Sequence, residues 1–156
     1  MTITLAFQKK MPNPTWKDKL EMGLIKWKTK SDYFHVEAII KNKWVTAHPK
    51  TDGVVIRELQ PLDEDYYDYI TIDVDGRKIR SVMKYIKSQE GKKYDWLGIF
   101  FAQVFGKNIN DREKWFCSEL IAEILMKLDI MDADVPSYKY SPQDVYEFVK
   151  LIKFLD

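Results

Sequence analysis

The order of its hydrophobic periods constrains this chain most: alternation of period two dominates the first half, and helical spacing takes over in the second. Thr2 to Phe7 alternates and reads as a strand. Met11-Pro12-Asn13-Pro14 closes it, because neither proline can donate to a ladder. Tyr33 to Ile40, Lys43 to Ala47 and Val54 to Leu59 read as three more strands. A Lys41-Asn42 turn and a Pro49 to Gly53 loop join them into an antiparallel meander. Tyr66 to Val74 alternates again and adds a strand.

Helical spacing appears first in Trp16 to Trp27, where Trp16, Leu20, Leu24 and Trp27 share one face. Asp75-Gly76 turns the chain into a helix from Arg77 to Gln89. Asp95 to Val104, Trp115 to Leu128 and Pro142 to Leu155 all favour helix, the last with Ser141 as N-cap and Pro142 at its first position. Strands first and helices later imply an α+β domain with a mostly antiparallel sheet and further helices in its C-terminal half.

One domain covering residues 1–156 is expected, since a chain of 156 residues buries roughly two-thirds of its unfolded surface around one core. Hydrophobic residues make up 46% and aromatics 14%, well above what a disordered chain carries. The net charge of +1 is spread evenly, so no field of one sign attracts nucleic acid or anionic lipid. Lys26, Lys28 and Lys30 read as a solvated face.

The single Cys excludes an internal disulfide, and the alternating start is unlike a signal segment. The best apolar run, Trp96 to Phe105, falls short of the roughly 18 to 20 residues that span a bilayer. A cytoplasmic protein with no stable membrane insertion is expected.

The chemistry centres on Trp115-Phe116-Cys117-Ser118-Glu119-Leu120-Ile121, which puts the only thiol in the first turn of an apolar helix. A lone Cys is ordinarily a small buried hydrophobe. A helix N-terminus, however, carries about half a positive charge and unpaired amide donors, which favour a thiolate and could receive an oxyanion. His35 sits in a strand with Glu37 two residues on, and residues two apart in a strand share a face. Cys117, His35 and Glu37 thus offer a nucleophile, a base and an orienting group, while a core-edge histidine beside a solvated carboxylate is the plainer alternative. One Cys and two His without paired spacing make a metal site a poor rival, and no serine lies in a glycine-flanked elbow.

Several blocks together resemble the circularly permuted papain-like cysteine hydrolases, related to NlpC-type cell-wall peptidases and to lecithin-retinol acyltransferase. The blocks are Leu5-Ala6-Phe7, Leu24-Ile25-Lys26-Trp27 with Thr29-Lys30-Ser31, Phe34-His35-Val36-Glu37, Asp52-Gly53-Val54, Lys93-Tyr94-Asp95-Trp96-Leu97-Gly98, Trp115-Phe116-Cys117-Ser118-Glu119-Leu120 and Tyr140-Ser141-Pro142. They run in family order across nearly the whole chain, His before Cys, and are most similar to small phage and bacterial members.

The resemblance implies a papain-like core in which the Cys helix packs on an antiparallel sheet whose first strand carries the His. It implies Cys117 as nucleophile, His35 as base, the Cys117 N–H as oxyanion donor, and no cofactor or metal. For the third group it points to Glu37 first, then His48, then Thr46. Tyr94-Asp95-Trp96 would lie near the cleft, where it reads as packing. The implied reaction is acyl transfer through a thioester on a peptide, peptidoglycan or other acyl substrate, in the host cytoplasm for a phage-encoded chain. A lipid acyltransferase or thioesterase, and a binding module that has lost turnover, are the alternatives.

Overall fold

A computed structural model of the chain describes residues 1–95 and 114–155. Strands β1 (Thr2–Gln8), β2 (His35–Ile40), β3 (Lys43–His48), β4 (Gly53–Glu58) and β5 (Tyr67–Asp73) form one antiparallel sheet in the order β4-β3-β2-β1-β5. The meander holds from β2 to β4. Lys41 and Asn42 make its first turn with φ of 49° and 57°, the left-handed pair that matches the twist of a two-residue hairpin. β5 instead pairs with the outer edge of β1, where Ile70 faces Leu5 and Ile72 faces Ile3 across the ladder.

The central strand β2, second in the chain, carries His35 at its start, so the expectation of the His on the first strand is corrected. The opening alternation of Thr2 to Gln8 supplies an additional strand on the far side of β2.

Four helices are described: α1 (Trp16–Thr29), α2 (Gly76–Gln89), α3 (Cys117–Lys127) and α4 (Pro142–Leu155). Thr15 and Asp18 form a capping box at the start of α1, and Ser141 and Asp144 exchange the same bonds at the start of α4. Trp16 and Leu20 on the apolar stripe of α1 stay 71% and 57% exposed. Polar ties hold this helix down instead, including Lys26 Nζ to the Lys9 carbonyl at 3.0 Å.

On α2, Ile79, Val82 and Ile86 recur at helical spacing and face inward. α3 turns its apolar side chains inward, with Glu119, Glu123 and Lys127 along one stripe, and packs on β2 and on the turn at Ser137–Lys139, then on β3 and α4. Its Leu120, Ile121, Ile124 and Leu125 meet one face of the sheet, made of Leu5 and Phe7 of β1, Val36 and Ala38 of β2, and Val45 of β3. Each of these side chains except Ala38 contributes about 1.5–3 kcal/mol relative to leaving it in water.

α3 begins at Cys117, two residues later than its apolar pattern implies. Trp115 belongs instead to a short strand β7 (Lys114–Trp115), parallel to β6 (Lys93–Tyr94), with the Asp95 N–H donating to the Trp115 carbonyl at 2.9 Å. The expected helix from Asp95 to Val104 lies outside the described residues beyond Asp95, as does Trp96. Tyr94 packs against the core. Among the described residues, no helix is long and apolar enough to cross a membrane.

Candidate active site

Three local features fix the position of Cys117. Gly53 has φ of 138°, and a Cβ there would lie 1.9 Å from the Lys92 carbonyl oxygen, so only glycine lets β4 approach this closely. The Val54 N–H then donates to that oxygen at 2.8 Å and the Gly91 N–H to the Val54 carbonyl at 2.9 Å, which seats β6 against β4. β6 holds β7, whose Trp115 Nε1 donates to Gln89 Oε1 at 3.2 Å, and α3 starts two residues later.

Cys117 is the first helical residue of α3 and 4% exposed. Phe116, its N-cap, supplies no side-chain cap to the first-turn amides. The His35 imidazole and the backbone N–H groups of Val36 and Ser118 are the polar groups that act on the sulfur.

His35 projects from β2 at the point where the ladder to β3 has ended, since β2 and β3 pair only from Ala38 to Ile40. Its Nε2 lies 3.1 Å from Glu37 Oε1 and 3.1 Å from Thr46 Oγ1. With Nε2 occupied, Nδ1 is the ring nitrogen left for the sulfur. The Thr46 hydroxyl, beside Nε2, also helps to hold the Glu37 carboxyl in its ionised form.

Burial and charge set the protonation of this group. Burial pushes the Cys117 thiol up, yet the charge and hydrogen bond of His35, with the two backbone N–H groups, outweigh it and hold the thiol below its usual value. Burial pushes His35 down, but the Cys117 sulfur and then Glu37 raise it above the usual imidazole value. Burial pushes Glu37 up, and His35 first, then Arg57 and Thr46, bring it below the usual carboxylate range. These directions all favour thiolate beside imidazolium with a carboxylate behind it.

His48 stands next to His35, ring centroids 4.6 Å apart and nearly perpendicular. Its Nδ1 accepts from the Lys50 N–H at 2.9 Å, and burial together with the charge of His35 takes it down to about 3, so it is neutral. Of the three residues weighed as third group, Glu37 and Thr46 meet Nε2, while His48 meets the ring.

Three features of the site carried no sequence signal. Arg57 Nη2 lies 3.2 Å and 3.4 Å from the two oxygens of Glu37. At the end of an edge strand it reads as a solvated arginine, and only the register across β3 brings it in. Gln8 pairs with His35 across β1 and β2 and is buried. Glu119 is buried one turn below Phe116, and burial, reinforced by Asp95 and Glu123, pushes it up to about 7.

A cleft of about 460 Å3 opens beside this group, lined by Gln8, Glu37, His48, Lys50, Arg57 and Tyr67 among others. Among the described residues, no cluster of three or more His, Cys, Asp or Glu is arranged to hold a metal ion. No family profile matches the sequence, and no curated protein matches it significantly.

Proposed function

We propose that this chain is a cysteine hydrolase of the permuted papain-like type that transfers acyl groups through a thioester on Cys117. The observation that carries this reading is that His35, whose Nε2 meets buried Glu37 at 3.1 Å, is the charged side chain acting on the Cys117 sulfur at the first turn of α3. The thiolate attacks the substrate carbonyl carbon, forming a C–S bond and an oxyanion that the Cys117 N–H receives. As the C–N bond breaks, the His35 imidazolium gives its proton to the departing amine. His35 then takes a proton from water, whose oxygen attacks the thioester carbon and releases the acid and the thiolate.

The cleft sets Lys50, Arg57 and Asp63 among Met11, Pro12, Tyr66 and Tyr67, and peptide amides, with the stem peptides of peptidoglycan as first choice, present both polar and apolar groups to such a lining. The deep burial of Cys117 favours a second reading, a binding module on the same fold. Profiling the protein and its Cys117→Ala variant with peptide and long-chain acyl electrophiles tests the choice. Labelling by peptide probes that is lost in Cys117→Ala supports the proposal, preference for long-chain probes replaces it with a lipid enzyme, and no labelling of folded protein by any probe leaves the binding module.

A further inference from the structure

Glu37 is a carboxylate buried in a sheet, an expensive placement unless both oxygens are satisfied. Oε1 lies 3.1 Å from His35 Nε2, and Arg57 Nη2 spans Oε1 and Oε2 at 3.2 Å and 3.4 Å. Arg57 comes from β4, two strands away, and reaches over β3 to do so. Its side chain remains 44% exposed at the cleft, so its place is not dictated by packing.

We propose that Arg57 is a positioning residue, acting through Glu37 to keep a carboxylate oxygen on His35 Nε2 and so to hold the Cys117 and His35 pair in its charged form. The proposal rests on the reading of Cys117 and His35 as the reacting pair. His35 faces Glu37 from its own strand, Thr46 and His48 from β3, Arg57 from β4, and Tyr67 and Tyr69 from β5. His48 is neutral, and burial raises both tyrosines above the usual phenol value, so neither supplies a cation or an anion near neutrality. Lys50 and Asp63 line the same cleft, and of its two cations Arg57 is the one bonded to Glu37.

Without Arg57, His35 and the Thr46 hydroxyl remain as the main groups opposing the burial of Glu37. The carboxyl then takes a proton at higher pH than in the intact protein, and a protonated Glu37 no longer balances the imidazolium. The pair reverts to neutral thiol and imidazole, so the reactive thiolate is lost earlier on acidification.

Cys117 is the only thiol, so its alkylation by iodoacetamide reports this directly. Rates measured from mild acid to mild alkali on the intact protein, Arg57→Met, Arg57→Gln and Arg57→Lys, each with its Tm, make the test. The expected result is an acidic limb about one pH unit higher in the two uncharged variants and largely restored in Arg57→Lys. Profiles of the folded uncharged variants that overlay the intact protein, whatever their Tm, overturn the role of Arg57 alone. An intact-protein inflection at the ordinary thiol value removes the reacting pair, and this proposal with it.

Discussion

Both faces of the sheet carry buried side chains, and these are held in opposite ways. On the helix side, Val36, Ala38 and Val45 are interchangeable pieces of apolar area, secured by contact with α3. On the other side, His35, Glu37 and Thr46 are almost as thoroughly buried, but each is tolerable only because another satisfies it. Alternation along β2 assigns successive residues to these two regimes. The lesson is that burial alone separates nothing here: the core face should lose stability smoothly with area, and the site face should fail when one member of the network is removed.

The sharpest break in that comparison is Glu37→Ala, which strips His35 and Arg57 of their shared carboxylate. It should cost about 3–5 kcal/mol in denaturant unfolding and depress Cys117 alkylation near neutrality. Ile121→Ala, on the core face, should cost about 2–5 kcal/mol while leaving the pH profile of alkylation in the folded fraction unchanged. A profile shift in Ile121→Ala would show that the faces are not independent. Thr46→Val keeps the shape and removes one shared hydroxyl, so about 1–3 kcal/mol and a modest acidward retreat of His35 are expected, read by unfolding and titration. The smallest effect, about 1 kcal/mol, is expected for Ser141→Ala, which removes the α4 cap and leaves both sheet faces with their own side chains.

The core face was legible because its signal is local. Period two in β1 to β5 and helical spacing in α2 and α4 need no knowledge of what lies opposite, and the Lys41-Asn42 turn and the Ser141 cap are written in adjacent residues. Where two apolar runs abut, that signal fails: Trp115 continues the apolar character of α3 but pairs with Tyr94 as a strand. The stripe of α1 misleads differently, since Trp16 and Leu20 form a face that stays exposed.

At the site, the spacing of His35 and Glu37 was readable because two positions along one strand share a side. Thr46 could be placed beside them only through the adjoining strand. Arg57 could not, because its contact depends on the combined register of β2, β3 and β4, which no short window of sequence contains.

The chain has two histidines, and their surroundings push them in opposite directions. Against the ordinary imidazole value of about 6.5, His35 is raised and should therefore keep its proton well above that pH. His48 is lowered to about 3 and should stay neutral well below it. Titration of the imidazole nitrogens by NMR, in the intact protein and in Cys117→Ala, measures this directly. One imidazolium should persist past neutrality and move down when the sulfur is removed; two histidines that both titrate near the ordinary value, with no response to Cys117→Ala, would contradict the pairing of Cys117 with His35.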